Sequence, residues 1–120
     1  MANTFRGPML DVTSTDLTTL ITVPTADPGA TPPVPPTTII IKSLIVCNDS
    51  GSTTLVDLEV VRSSATFEIF KAKSVATNTT TELLSQPLVL QESDVIKEQA
   101  NAANQVHIIV SFMEVTKGQL

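Results

Sequence analysis

Residues 38–62 read TIIIKSLIVCNDSGSTTLVDLEVVR, two apolar runs separated by a short polar segment. In the second run, apolar side chains recur at every second position as Val56, Leu58 and Val60, a period that is typical of a half-buried strand. The residues between the runs, 49–53, are polar and include a glycine, which favours a tight turn. The stretch therefore predicts a β-hairpin.

The first run, 38–48, is apolar on both faces of the predicted strand. Strict alternation divides its apolar side chains between two faces, Ile39, Ile41, Ile45 and Cys47 on one and Ile40, Leu44 and Val46 on the other. A small domain cannot easily cover both faces of a strand by itself. We therefore expect the second set, Ile40, Leu44 and Val46, to lie in a contact between subunits.

The last run, 105–115, has the same two-sided character, because Ile109 and Met113 lie on the face opposite Val110 and Phe112. If this run and 38–48 are neighbours in one sheet, the outer face of that sheet is an apolar patch without a cover. A homo-oligomer would supply the cover, so Ile109 and Met113 join the predicted interface.

Further short runs of strand-forming residues follow one another at intervals of roughly ten residues, a rhythm typical of sandwiches. They lie at 17–23, 66–73, 79–84, 87–90 and 95–100. Residues 92–103 also suit a short helix capped by Ser93 or Asp94, although the surrounding rhythm favours a strand. The sequence predicts an all-β fold, an antiparallel β-sandwich of jelly-roll-like form with seven to eight strands.

The chain divides into an N-terminal arm, 1–16, one sandwich domain, 17–116, and a short C-terminal tail, 117–120. Within the domain, residues 24–36 hold six prolines, which favour a stiff, polyproline-like loop. This segment is either an ordinary long connection or a finger that contacts a neighbouring subunit. For the second case, the predicted contact residues are Pro32, Pro33, Pro35 and Pro36.

Composition argues against several classes of function. The chain has seven basic and twelve acidic residues, a net charge of -5, and its basic residues are scattered, so we expect no nucleic-acid partner. No apolar stretch is long enough to span a membrane, and the first residues lack the pattern of a signal peptide, so we expect synthesis in the cytoplasm and no membrane partner.

Residues for chemistry are sparse. Cys47 and His107 are the only cysteine and histidine, and each lies in an apolar strand, where a catalytic pair of these residues is the weaker interpretation. Asp57 and Glu59 share the outward parity of their strand and serve solubility more simply than acid–base catalysis. No glycine-rich phosphate loop or calcium-binding loop is present. We expect no catalytic residue, no metal site and no cofactor.

Several segments resemble small β-sandwich virion proteins of tailed bacteriophages. They are LTTLITVP at 17–24, IKSLIVCNDSG at 41–51, VDLEV at 56–60, PLVLQESD at 87–94, QANAA at 99–103 and the strand 106–114. The chain departs from the family pattern at two places. Residues 24–36 replace a short Pro-Ala-Gly turn, and Ser93-Asp94 replaces Gly-Asp. The first difference suggests an added contact loop.

The resemblance implies a non-enzymatic virion structural protein, assembled in the host cytoplasm. A capsid decoration, or cement, protein is the leading hypothesis, a homotrimer that binds the major capsid protein or other virion proteins. A tail, neck, baseplate or fibre accessory protein of the same fold is the alternative. A carbohydrate-binding module is a more distant one, because such modules usually present aromatic platforms and this chain has no Trp or Tyr.

Overall fold

Strands account for all the regular secondary structure in the computed structural model, which describes residues 2–117. They are β1 (Ala2–Arg6), β2 (Met9–Asp11), β3 (Thr18–Thr22), β4 (Thr37–Asn48), β5 (Thr54–Arg62), β6 (Ala65–Val75), β7 (Thr79–Glu82), β8 (Leu88–Leu90), β9 (Val95–Ala100) and β10 (Val106–Thr116). Residues 92–103 thus contribute a strand, β9, as the rhythm of the sequence predicted. No helix long and apolar enough to cross a membrane occurs in this part of the chain.

The strands form two antiparallel sheets with the order of a jelly roll. One sheet runs β1-β10-β4-β7, with β2 also paired to β10 and β8 also paired to β4, and the other runs β3-β9-β5-β6. β1 and β2 share one edge position of the six-stranded sheet, and β7 and β8 share the other. The ten strands therefore occupy eight positions. The predicted all-β sandwich is confirmed, and the two extra strands come from these divided edges.

The predicted hairpin at 38–62 is wrong, because β4 and β5 belong to different sheets. The chain crosses from one sheet to the other after Asn48, whose side chain is fully buried. Its amide nitrogen donates to the carbonyls of Ser52, at 2.8 Å, and Val75, at 3.0 Å, and its oxygen accepts from the Ser50 N–H. The crossing lets both strands turn their apolar inner faces toward one core.

The predicted N-terminal arm is part of the six-stranded sheet over most of its length. β1 and β2 both pair with β10, and they are separated by Gly7-Pro8, where proline has no N–H to donate. Every residue of β1 is exposed, which explains why its sequence shows no apolar period. At the other end, Lys117 donates its N–H to the Pro36 carbonyl, while Met1 and residues 118–120 of the predicted tail lie outside the described range.

A β-bulge in β4 changes the face on which its side chains lie. Ser43 pairs with Ser111 and Ile41 pairs with Phe112, so Lys42 is an extra residue without a partner on β10. Ile39 and Ile41 therefore share the inner face with Leu44 and Val46, and all four are buried. The strict alternation assumed from the sequence fails at Lys42.

Glu82, the last residue of β7, holds the bulge in place. Its carboxylate accepts hydrogen bonds from the Ser43 hydroxyl and from the N–H groups of Leu44, at 2.7 Å, and Leu84, at 3.2 Å. Burial raises the pKa of Glu82, and these three hydrogen bonds more than offset that effect, so its pKa is lowered. The charged form of Glu82 is thus the form that suits the bulge.

The bulge lies on a line of interruptions that crosses the six-stranded sheet, which we call the bend. On one edge, Pro8 separates β1 from β2 and accepts the Val110 N–H. In the middle are Lys42 of β4 and Ser111 of β10, and on the other edge residues 83–87 separate β7 from β8. The edge strands are therefore divided at the bend, whereas β4 and β10 continue through it.

The core between the sheets is aliphatic, with Phe112 as its buried aromatic residue. Two carboxyl groups are also buried, that of Glu98 on β9 of the four-stranded sheet and that of Asp94 in the turn just before β9, each about 1% exposed. Asp94 accepts from the Arg62 guanidinium, with the closest contact at 2.6 Å, and from the Gln91 N–H at 2.7 Å. The Arg62 hydrogen bonds lower the pKa of Asp94, against the opposing effect of burial.

Glu98 has no comparable partner. Its Oε2 is buried without a hydrogen bond, and burial raises the pKa of Glu98 to about 7, despite a hydrogen bond with Thr18 that acts in the opposite direction. The core therefore contains one carboxylate that is stabilised as an ion and one carboxyl group that is stabilised in its protonated form.

The proline-rich loop, 24–36, is a small closed finger and not an open polyproline strand. Asp27 and Val34 form an isolated β-bridge, with both N–H···O distances at 2.9 Å, and the Asp27 carboxylate also accepts from the Gly29 N–H. The predicted polyproline-like loop is therefore interrupted by a strand-like pairing at these two positions, neither of which is a proline. The residues between them form the exposed tip.

Candidate interaction surface

The two strands that the sequence marks as apolar on both sides, β4 and β10, are neighbours over their whole length. Directly paired residues of antiparallel strands place their side chains on the same face, so the register defines the outer face of the sheet. One row across this face is Phe5–Met113–Ile40–Val89, and a second is Met9–Ile109–Ile45. We call these seven residues the outer apolar face.

The edges of the outer apolar face are its most exposed part. Phe5 is 74%, Met9 77% and Val89 51% exposed, and these are three of the six large apolar side chains among residues 2–117 that stand out in solvent. The four residues from β4 and β10 are half-buried. Large exposed apolar side chains gathered on one face mark a surface that gains free energy when a partner covers it.

Charged groups lie at one end of this face. His107 pairs with Asp11 on the outer side of the sheet, its Nδ1 3.2 Å from the Asp11 carboxylate and its Nε2 3.3 Å from Asp49. Glu82 pairs with Ile45, but its carboxylate is engaged by the bulge. The second row thus ends at Glu82, and the exposed Lys42, the extra residue of the bulge, lies between the two rows.

Three of the predicted interface residues lie together on the outer apolar face, and two others lie in the core instead. Ile40 and Met113 are direct partners across β4 and β10, and Ile109 lies in the second row. Leu44 and Val46, by contrast, are fully buried in the core, so their assignment to the outer face is wrong. The physical reason is the extra residue Lys42, which reverses the alternation for the rest of β4.

The predicted contact prolines occupy two environments in the loop. Pro32 and Pro33 are exposed at the tip of the finger, whereas Pro35 and Pro36 are half-buried at its base, where the loop enters β4. Of these four prolines, the two at the tip are therefore the ones exposed to a partner.

Sequence reasoning missed four residues of the outer apolar face. Phe5 and Met9 were assigned to the arm, because short exposed strands show no apolar period. Ile45 was placed on the inner face by the assumption of strict alternation. The sequence did contain a signal for Val89, since the inward pair Leu88 and Leu90 leaves it on the opposite parity, although Leu88 itself is only half-buried.

The residues considered for chemistry are placed in structural contacts. Cys47 lies directly opposite His107 on the outer face, but both ring nitrogens of His107 face carboxylates. Asp57 accepts the Ala72 N–H at 2.6 Å and lies 3.6 Å from the Lys71 ammonium, so it fixes a bulge in the edge strand β6. Across residues 2–117, no group of three His, Cys, Asp or Glu side chains is arranged to hold a metal ion.

Comparison with known proteins gives no assignment. No model of a known protein family matches the chain, and no curated protein matches its sequence.

Proposed function

We propose that this chain is a virion structural protein of a tailed bacteriophage, specifically a capsid decoration protein that self-associates and binds the shell. The observation that carries the proposal is the outer apolar face, seven apolar residues on one face of the six-stranded sheet, three of which are more than half exposed. The jelly-roll order supports it, since this architecture recurs in viral capsid domains. The sequence resemblance supplies the phage setting.

In this proposal, the two surfaces have different partners. The outer apolar face is covered by another subunit, and the exposed tip of the proline-rich finger contacts the shell. The Asp27–Val34 bridge supports the second role, because a loop that is already ordered loses less conformational entropy when it binds. A tail, neck, baseplate or fibre component would use the same surfaces, and it differs in where it is attached and in how many copies are present.

The number of copies per particle tests the function. Quantitative mass spectrometry of purified virions of the encoding phage should find the chain in numbers comparable to the major capsid protein. A few copies per particle would indicate the tail or neck alternative. Absence from particles that contain all their other structural proteins would overturn the virion assignment.

A loop variant tests the proposed contact with the shell. Replacing residues 28–33 by Asn-Gly leaves Asp27 and Val34 joined by a two-residue turn that suits a hairpin, so the melting temperature should stay unchanged. Occupancy on particles that lack the protein should fall when the variant is added back. Pro87→Ala, which alters an exposed proline elsewhere, is the matched control and should bind as the unaltered protein does. Equal occupancy for the loop variant would show that the finger is an ordinary connection.

A further inference from the structure

The edge strand β3 lies in a segment, residues 13–22, that is held at both ends. Before it, Val12 donates its N–H to the Val106 carbonyl at 3.2 Å. After it, Val23 donates its N–H to the Asp94 carbonyl at 2.9 Å. The side chains of Val12 and Val23 are both buried, so these two positions are fixed to the core. We call residues 13–22 the strap.

Between its two ends the strap is held on one side. Among the described strands, β3 pairs with β9 alone, and a bulge leaves Leu20 without a partner on β9. On the free side of β3, a cleft of about 100 Å³ separates the strap from the β1–β2 edge of the other sheet. Thr19 and Leu20 line the cleft from the strap, and Pro8, Leu10 and Val110 line it from the other sheet. The two sheets therefore do not close fully along this edge.

The buried Glu98 meets the strap at Thr18. The two residues are direct partners across β9 and β3, and their side chains form a hydrogen bond. The Thr18 hydroxyl also lies 3.0 Å from the Asp16 carbonyl, to which it donates. Because a hydroxyl has one proton, Thr18 can donate to Asp16 or to an ionised Glu98, but not to both. When Glu98 is protonated, it donates to Thr18 while Thr18 donates to Asp16, so the protonated form holds the strap in its observed position.

The strands packed around Glu98 offer no charge to stabilise its ionised form. β3 has no titratable residue, and the partner of Glu98 on β5 is Leu58. On the inner side of the opposite sheet, Arg6 and Glu114 pair with each other, with 3.5 Å between the Arg6 Nε and the Glu114 carboxylate. Other charged side chains of the packed strands are directed away from the core: Asp57, Glu59, Lys97, Asp11, Lys42 and His107. An ionised Glu98 is therefore a buried charge without a partner.

We propose that the strap separates from β9 when Glu98 loses its proton, which opens this edge of the sandwich to water. The ionised carboxylate needs donors that the closed form lacks, since Oε2 has no hydrogen bond and the side chain is about 1% exposed. Water enters most easily at the strap, because β9 stays paired with β5 when β3 leaves and no other strand pairing is lost. This inference concerns the purified chain and goes beyond the proposed function, so the two can fail separately.

The size of the effect follows from the two protonation equilibria. In the closed form burial raises the pKa of Glu98 to about 7, and in the open form the pKa returns to its ordinary value of 4.5. The ratio of open to closed molecules should therefore rise by about 70-fold between pH 5 and pH 8. Exposure of Leu20 and Ile21 opposes opening at every pH. The open form is thus a minor state of the kind that hydrogen exchange detects.

Hydrogen exchange of the full chain tests where the opening occurs. After correction for the intrinsic exchange rate at each pH, the protected amides of β3 should exchange faster than those of β10 at every pH, and their protection should fall by tens of fold from pH 5 to pH 8. Low concentrations of urea should change the exchange of β3 little, because a local opening exposes little surface. Protection of β3 equal to that of β10 would show that the strap leaves only when the whole domain unfolds, and it would overturn the proposal.

Two variants test whether Glu98 controls the opening. Glu98→Gln has no proton to lose in this range and keeps a donor for Thr18, so the protection of β3 should be the same at pH 5 and pH 8. Glu59→Gln is the matched control, because Glu59 lies on the outer face of the neighbouring strand β5, and it should keep the full pH dependence. A Glu98→Gln variant with the unaltered slope overturns the proposal, as does a Glu59→Gln variant without one. The comparison of β3 with β10 in the unaltered chain decides the matter even if a variant does not fold.

Discussion

The outer face of the six-stranded sheet carries apolar rows, whereas on the outer face of the four-stranded sheet Asp57 pairs with Gln99 and Glu59 with Lys97. The inner faces of both sheets are largely aliphatic, but that of the four-stranded sheet also buries the carboxyl group of Glu98. The difference teaches that the two sheets are patterned differently. The six-stranded sheet presents the outer apolar face, and the four-stranded sheet contains Glu98, a buried carboxyl group whose pKa is raised.

The strongest test of the difference between inner and outer faces is to introduce an aspartate on each face of β4 in turn. Leu44→Asp places a carboxylate in the aliphatic core, and we expect a loss of more than about 4 kcal/mol, enough to unfold a small domain. Ile40→Asp, on the outer face, should cost less than about 1 kcal/mol in the monomer, because Ile40 is only half-buried. Urea unfolding of both variants measures the difference. Similar stability for the two would mean that the bulge at Lys42 does not reverse the faces.

The buried carboxyl group of Glu98 should make stability decrease as pH rises. Because its pKa in the folded state is raised to about 7, its contribution is fully present below the ordinary pKa of 4.5 and is lost between pH 4.5 and 7. Glu98→Gln removes this titration, so at pH 8 the variant should be more stable than the unaltered protein by roughly 2–3 kcal/mol. Denaturant unfolding at several pH values between 5 and 8 measures the slope.

Two comparisons keep the Glu98 result specific. Glu68→Gln, on the exposed edge strand β6, should leave the pH slope unchanged. Asp94 acts with the opposite sign, since its lowered pKa gives stability that is present above its ordinary pKa of 3.8 and is lost as pH falls through the folded value. Its contribution therefore does not change between pH 5 and 8. A Glu98→Gln variant with the unaltered slope would contradict the assignment to Glu98.

A smaller effect is expected at the bulge. Glu82→Gln weakens the charge-assisted hydrogen bonds to Ser43 and to the Leu44 and Leu84 N–H groups, and we expect a cost of about 1–2 kcal/mol in urea unfolding. The control is Glu114→Gln, which removes an ion pair with the half-exposed Arg6 and should cost less than about 1 kcal/mol. If the Glu82 variant is no less stable than this control, the bulge does not need the carboxylate.

Local patterns in the sequence were sufficient for the strands but not for how they are joined. The alternation in residues 54–62 located β5 correctly, and the rhythm of short runs gave the sandwich. The sequence could not show that Asn48 begins a crossing between sheets, because its amide binds Val75, which is 27 residues away. A five-residue polar connection looks the same in a hairpin and in such a crossing.

The candidate surface was predicted in part for the same reason. Ile109 and Met113 were found because β10 alternates without interruption. Leu44 and Val46 were misplaced because the bulge depends on Glu82, a residue that comes 38 positions after Leu44. Phe5 and Met9 gave no signal, since every residue of β1 is exposed and β2, with three residues, is too short to show a period.

The bulge at Lys42 should tolerate a substitution but not a deletion. Lys42 has an exposed side chain, so almost any residue type can replace it at little cost. Its removal would be far more damaging, because a register one residue shorter would turn Ile45 and Cys47 inward and Leu44 and Val46 outward. This position should therefore vary freely in residue type among descendants of the chain, while a deletion there is eliminated by selection as strictly as a defect in the core.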